Sequence, residues 1–243
     1  MTGPTGSGKT TTLHAILNDI NEAGINIVTI EDPVESTIPG VSHVQVSERG
    51  GVDFPSALRS ILRQDPDVMM IGEIRDLEVG RIALQAALTG HLVLSTLHTN
   101  GVVETVTRLV DMGLEAYLLA GSLNMIVAQR LLRRVCPYCS SVDKVWPDLI
   151  AEFDLTEEQA ETAIYRRPVG CERCFDTGYR GRVAIYETLV PSEPVRRILR
   201  RGGDEEALIN AIEEEGMIWM RQAALARALA GETSFAEVRR IPN

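Results

Sequence analysis

Eight residues near the start of the chain constrain its fold more than any others. Gly3-Pro4-Thr5-Gly6-Ser7-Gly8-Lys9-Thr10 satisfies G-x-x-x-x-G-K-[ST], the spacing of a phosphate-binding loop. Gly6 and Gly8 permit backbone angles and a close approach that a Cβ would block. Successive N–H groups can then wrap a phosphate at a helix N-terminus. The pattern assigns Gly3, Pro4, Thr5, Gly6, Ser7, Gly8, Lys9, Thr10 and the following Thr11 to nucleotide binding. Lys9 would reach the β- and γ-phosphates, and the Thr10 hydroxyl would hold Mg²⁺. An ordinary glycine-rich turn need not open a helix. Here residues 10–22 read as one, with Leu13, Ile16, Leu17 and Ile20 on one apolar face. A loop of this kind follows a buried strand, yet only Met1 and Thr2 precede Gly3. The expectation is a fragment of a longer chain, or an N-terminus built differently.

The bulk properties narrow the class. A chain of 243 residues suits one large domain or a domain with appendages. Hydrophobic content of 44% and charged content of 24% are ordinary for a globular protein. No apolar run approaches the roughly 18–20 residues that cross a bilayer. No basic stretch followed by an apolar one marks a leader, so the expected compartment is the cytoplasm. A net charge of −10 argues against a broad nucleic-acid surface. The local basic clusters (Arg130, Arg133 and Arg134; Arg166 and Arg167; Arg200 and Arg201) read as solvated faces or subunit contacts.

Residues 1–134 alternate strand-like and helix-like segments, as an α/β sheet domain does. Residues 27–30 form a β-branched run. Residues 68–71 are a continuous apolar run of the kind found in buried parallel strands, and residues 92–96 form a third. Helices are predicted over 54–63, 77–88, 103–112 and 117–132. The pattern changes at Val135. Residues 135–187 hold all four cysteines and little periodicity, with a strand-like stretch at 183–186. Tyr179-Arg180-Gly181-Arg182 before it reads as a subunit contact or a solvated turn. Residues 188–243 are helical. The expected domains are 1–134, 135–187 and 188–243.

Three polar stretches sit where strands should end, the edge at which open α/β sheets bind ligands. They are Glu31-Asp32-Pro33-Val34-Glu35, Gly72-Glu73-Ile74-Arg75-Asp76 and the stretch from His91 to His98. ATP hydrolysis needs a carboxylate to orient or deprotonate water, and acidic groups around Mg²⁺. Glu73 follows a buried strand directly and is the candidate base. Glu31 and Asp32 are candidate Mg²⁺ or water ligands. His91 and His98 are candidates for sensing the γ-phosphate, or are structural. The four cysteines form two C-x₂-C pairs, Cys136/Cys139 and Cys171/Cys174, separated by residues 140–170. Two such pairs can close a tetrahedral Zn²⁺ site. Disulfides or buried thiols are the alternatives, and a cytosolic setting disfavours disulfides. With four protein ligands the site would be structural, holding residues 140–170, which have little apparent core, onto the rest.

Residues 2–12, 29–35, 62–76 and 89–100 resemble the four nucleotide-site boxes of the secretion ATPase superfamily: Walker A, Asp box, Walker B and His box. The run from Leu62 to Asp76 resembles that signature with no visible departure. With the four cysteines, the whole chain is similar to the type II secretion (general secretory pathway protein E) and type IV pilus assembly ATPases. Pilus retraction ATPases resemble the core but generally lack the cysteine module. The resemblance implies a RecA-like P-loop NTPase core, a four-cysteine zinc-binding insertion and a helical C-terminal subdomain. It implies a cytoplasmic hexamer on an inner-membrane platform that drives pilus or pseudopilus assembly. By matching position, Glu73 would be the catalytic glutamate, with Lys9, Glu31 and His98 assisting. Glu31 and Asp32 would form the Asp box, and His91 and His98 the His box. The family's N-terminal domain, which supplies arginines to the nucleotide site and carries the platform-binding region, has no counterpart in this sequence.

The expected reaction is hydrolysis of ATP with Mg²⁺, Zn²⁺ being structural, as the motor of type II protein secretion. A pilus-assembly motor shares every box. Two readings from other classes stay open: a zinc-ribbon nucleic-acid module fused to a P-loop domain, and a non-catalytic nucleotide-binding scaffold.

Overall fold

A computed structural model of the protein describes residues 1–47 and 51–242. Two compact units share the chain without dividing it in series. Unit 1 is residues 1–128 and 188–217; unit 2 is residues 129–187 and 218–243. The expected boundaries at 134/135 and 187/188 stand beside observed crossings at 128/129 and 187/188. A third crossing, at 217/218, divides the C-terminal helices between the units.

Unit 1 opens with the phosphate loop and α1 (Lys9–Asp19), followed by β1 (Ile27–Glu31), β2 (Ser42–Gln45), α2 (Phe54–Ile61), β3 (Val68–Ile71), α3 (Leu77–Leu88), β4 (Leu92–Ser95), α4 (Val102–Asp111) and α5 (Ala116–Ser122). The strands form a parallel sheet in the order β2-β1-β3-β4. Its inner strands are buried throughout because both faces are covered, and apart from Thr29 and Glu31 they are apolar. Val28, Ile30, Met69 and Ile71 pack against Phe54, Leu58 and Ala83 of α2 and α3. Ile27, Val68 and Met70 point the other way, onto Leu13 and Leu17 of α1. Asp53 caps α2 by accepting from the Ser56 N–H, and Asp76 caps α3 by accepting from the Val79 N–H.

The helix expected over 117–132 is corrected. It ends as α5, and residues 126–135 form the strand β5 (Ile126–Val135). Leu123, after α5, is already extended, with ψ 112°. The apolar residues of 126–135 fit a helical stripe, but the segment pairs with β8 (Tyr179–Leu189) in a two-stranded sheet, and tertiary pairing overrides local propensity. The remaining elements are β6 (Ser141–Val142), α6 (Pro147–Glu152), α7 (Glu157–Thr162), β7 (Arg166–Arg167), α8 (Glu193–Arg200), α9 (Glu205–Glu214), α10 (Met220–Leu229) and α11 (Phe235–Val238). Helices α8 and α9 belong to unit 1, where the Arg196 guanidinium donates to the Ala120 carbonyl at 2.5 Å.

Unit 2 has the core that its sequence conceals. Phe153 and Tyr165 both pack on Phe235, at ring-centroid distances of 5.1 and 4.8 Å, so residues far apart in sequence supply the apolar surface. Beside this cluster Glu237 is fully buried. Its carboxylate accepts from the Arg133 backbone N–H at 2.9 Å and from Arg133 Nε at 3.0 Å. Arg133 Nη2 donates at 2.8 Å and Arg240 Nη1 at 2.9 Å.

Candidate functional site

The phosphate loop is folded by its glycines. Gly6 and Gly8 stand at φ 77° and 86°, the left-handed region that side-chain-bearing residues avoid, and Gly8 is the N-cap of α1. Thr12 N–H already bonds to the Gly8 carbonyl at 3.0 Å, so the helix begins where the loop ends. Lys9 is buried, and its ammonium donates to the carbonyls of Gly3 at 2.7 Å and Pro4 at 3.3 Å. Burial lowers its pKa, with the Glu73 charge opposing that shift. An anion in the loop would meet this ammonium and the start of α1 together. Thr10 and Thr11 occupy the first turn of α1, and Pro4 and Thr5 are exposed at the loop's tip.

The parallel sheet delivers the rest to one edge. Glu73 follows β3, and His98 lies just beyond β4. Arg75 Nη2 donates to Glu73 Oε1 at 2.6 Å, and His98 Nε2 lies 3.5 Å from Glu73 Oε2. Arg75 also reaches Asp32 Oδ2 at 3.5 Å. The hydrogen bond from Arg75 is the main reason the Glu73 carboxyl is held below the usual range. Burial opposes it, and the charges of Arg75, His98 and Lys9 add to it. Thr96 Oγ1 donates to the Gly72 carbonyl at 2.6 Å and fixes the backbone that carries Glu73. Arg75, to which the sequence reading gave no role, joins Glu73 to Asp32, while His98 lies beside Glu73 and the Lys9 charge acts on it.

Glu31 and His91 are placed differently. Glu31 ends β1 but is buried, and its carboxylate is taken up by three side chains. Thr29 Oγ1 donates to Oε1 at 2.7 Å, His43 Nδ1 lies 2.9 Å from Oε1, and His14 Nε2 lies 3.3 Å from Oε2. The Ile38 N–H donates to His43 Nε2 at 3.0 Å, which leaves the His43 proton on Nδ1, aimed at Glu31. Glu31 thus ties α1, through His14, to β1 and β2. It is a buried internal anchor in this state. Neither histidine was singled out from sequence. Only the register that sets His43 opposite Thr29 reveals the cluster. His91 precedes β4, at the end of the strand away from the phosphate loop. Its N–H and Nδ1 both meet the Ala86 carbonyl, the ring nitrogen at 2.9 Å, closing the end of α3. The structure does not bring His91 to Lys9 and Glu73.

The four cysteines converge within unit 2. All are free thiols, and their Sγ atoms lie within 4.8 Å of one another. Cys174 Sγ stands 3.7 Å from Cys171 Sγ and 3.8 Å from Cys139 Sγ. Tetrahedral Zn–S bonds of about 2.3 Å set sulfurs about 3.8 Å apart, so this donor set fits zinc. Backbone amides support the sulfurs. Gly170 N–H donates to Cys139 Sγ, and the amides of Cys171 and Gly178 donate to Cys174 Sγ. Burial works against the Cys174 thiolate, but those two amides and the neighbouring thiols bring its pKa down to about 6. Burial pushes Cys139 up to about 11. Gly178 is needed where it stands. At φ 76° a Cβ there would lie 2.7 Å from Pro168 Cβ.

Comparison with known proteins agrees along the chain's length. The family described as type II/IV secretion system protein matches residues 1–240. The type II secretion system protein E of Aeromonas hydrophila is 47% identical over 244 residues, covering 99% of this chain and 48% of its own. The type IV pilus assembly ATPase PilB of Pseudomonas aeruginosa is 46% identical over 241 residues, covering 99% of this chain and 42% of its own. The chain therefore spans a little under half the length of these relatives. Among solved structures, the pilus retraction motor PilT with bound ADP superposes with a TM-score of 0.72 at 31% identity. That match covers 99% of this chain and 60% of PilT.

Proposed function

The chain belongs to the type II/IV secretion system protein family, and from that membership we propose that it is the nucleotide-hydrolysing part of a secretion or pilus-assembly motor. The observation that carries the reading is the meeting of Lys9, Glu73 and His98 at the edge of one parallel sheet. In the proposed reaction Lys9 leaves the carbonyls of Gly3 and Pro4 for the β- and γ-phosphates, and its charge stabilises the transferring phosphoryl group. Glu73 orients the attacking water and takes its proton, which requires Arg75 to release the carboxylate. Thr10 would hold Mg²⁺, which supplies charge neutralisation to the phosphates. Asp32, the exposed member of the acidic pair after β1, is better disposed than Glu31 to assist there.

The wider assignments extend this reading: a homo-hexamer, an inner-membrane platform as partner, a cytoplasmic location peripheral to that membrane, and one structural Zn²⁺ on Cys136, Cys139, Cys171 and Cys174. No helix among the described residues is long and apolar enough to cross a membrane. Type II secretion is the system proposed first and pilus assembly the alternative, the protein E and PilB relatives being 47% and 46% identical. The test is Mg-ATP binding and phosphate release by the chain and its variants. Glu73→Gln should keep nucleotide affinity and lose about 10²–10⁴ in turnover, the range of a general base. Lys9→Ala should weaken both. Parental turnover in Glu73→Gln would remove the base from its role. Nucleotide affinity unchanged in Lys9→Ala would refute the site.

A further inference from the structure

The stretch between β1 and β2 carries Asp32, and over residues 32–40 it forms neither helix nor strand. Side chains from both flanks hold it instead. From β2, Gln45 Oε1 accepts from the Val34 N–H at 3.3 Å and His43 Nε2 from the Ile38 N–H at 3.0 Å. From just past α1, Asn21 Nδ2 donates to the Pro39 carbonyl at 2.7 Å. From α1 itself, His14 uses both ring nitrogens. Its Nε2 lies 3.3 Å from Glu31 Oε2 and its Nδ1 2.9 Å from Ser36 Oγ. A carboxylate only accepts, so the proton of the neutral ring stands on Nε2, and Nδ1 accepts from the Ser36 hydroxyl. The His14 side chain is 11% exposed, so little water competes for either contact. The two contacts fall on either side of Asp32 in the chain.

His14 also has a particular place in α1. Thr10 precedes it by four residues, which puts the two side chains on one face of the helix, a turn apart. Thr10 is the hydroxyl assigned to Mg²⁺, and Asp32 is the exposed carboxylate disposed to assist it, both hard oxygen donors of the kind that ion takes. Arg75 reaches Asp32 only at 3.5 Å and makes its shorter bond to Glu73. We propose that His14 is a positioning residue of the nucleotide site: by pinning the chain on both sides of Asp32 to the helix that carries Thr10, its ring sets where those two oxygen donors stand relative to one another. The inference rests on the nucleotide reading. Groups that orient metal-holding side chains from behind contribute about 10–100-fold in metal affinity. Phenylalanine at position 14 fills the ring's space and makes neither bond. Glutamine keeps a donor near the Nε2 position for Glu31.

The test has one readout without nucleotide and one with it. Amide hydrogen exchange at Val34 and Ile38 reports the hold on the segment, and His14→Phe should speed it about tenfold or more. ATP affinity is then titrated with Mg²⁺. His14→Phe should need about 10–100-fold more Mg²⁺ for half-maximal tightening. Its affinity for metal-free ATP should match the parent's, because Lys9 and the loop set that. His14→Gln should recover most of both effects. Ser36→Ala, on the exposed segment, removes only the Nδ1 contact and should move both in the same direction by less. A merely structural histidine would lower the melting temperature and leave the Mg²⁺ requirement alone. Exchange unchanged in His14→Phe and Ser36→Ala, an unchanged Mg²⁺ requirement, or equal shifts in the phenylalanine and glutamine variants would each overturn the proposal while the parent still binds Mg-ATP. A parent without Mg²⁺-dependent binding would overturn the nucleotide reading, and this role of His14 with it.

Discussion

Replacing Glu237 with glutamine should cost unit 2 roughly 2–4 kcal/mol at pH 7, a figure that follows from its contacts. The native side chain is 1% exposed and receives three donors from Arg133 and one or two from Arg240. Glutamine keeps the volume, removes the charge and puts an NH₂ where an acceptor stood. One Arg133 donor then faces another donor. A hydrogen bond to a charged group contributes about 1.5–3 kcal/mol, and an orphaned buried donor costs about 1–3 kcal/mol. Removing one member of a fully buried pair costs about 3–5 kcal/mol. The lower figure is expected here because the Arg133 and Arg240 side chains are 48% and 64% exposed, so water can recover the guanidinium groups. Trp146 and Trp219 are the chain's only tryptophans, and both lie in unit 2. Their fluorescence during urea unfolding therefore reads this unit. Burial raises the Glu237 pKa, but Arg133 and Arg240 outweigh it and hold the folded value below the ordinary 4.5. The stabilisation is then complete above the unfolded pKa and is lost as pH falls through the folded one. The gap between parent and variant should be flat from pH 8 to about 5 and narrow below that. A loss under about 1 kcal/mol at pH 7, or a gap that persists on acidification, would refute the reasoning.

Arg75→Ala should let the Glu73 pKa rise towards its ordinary value, since the Arg75 hydrogen bond is the main cause of its depression. The acid limb of the pH–turnover profile should then move to higher pH, and an unmoved limb would exclude this coupling. Purified chain should contain about one zinc per molecule. Cys171→Ser should lower the tryptophan-monitored midpoint of unit 2 while leaving nucleotide affinity in place, and a metal-free preparation with an unchanged midpoint would sink the zinc assignment. His43→Asn can still offer a donor near the Nδ1 position to Glu31, whereas His43→Phe cannot. Far-UV thermal melts should show the phenylalanine variant less stable by about 1–3 kcal/mol than the asparagine one, and equal losses would deny His43 its hold on Glu31.

Local chemistry was legible from sequence where it repeats a short pattern. The phosphate loop, the apolar runs at 27–30 and 68–71, and the helix at 77–88 all depend on neighbours within a few residues. The cysteine cluster was legible too, because two turns each preset a pair. What escaped needed a partner distant in sequence. Residues 126–135 look helical until β8 is beside them. Glu31 reads as an open ligand until the β1–β2 register sets His43 opposite Thr29. Arg75 lay inside a recognised signature, yet only the folded sheet shows it spanning Glu73 and Asp32. The core of residues 140–170 was invisible because Phe235 supplies its centre.

The interleaving of the two units has a consequence for synthesis. Residues 1–128 emerge before α8 and α9, which belong to the same unit and follow the whole of residues 129–187. Residues 129–187 in turn lack Phe235 and Glu237, which lie near the chain's end. Neither unit can close while only the first three-quarters of the chain is out of the ribosome. At about 5–20 residues per second, half-built apolar surface from both units coexists for several seconds or more. Ribosome-bound chains stopped at residue 187 should therefore be more protease-sensitive in both of these units than the released protein.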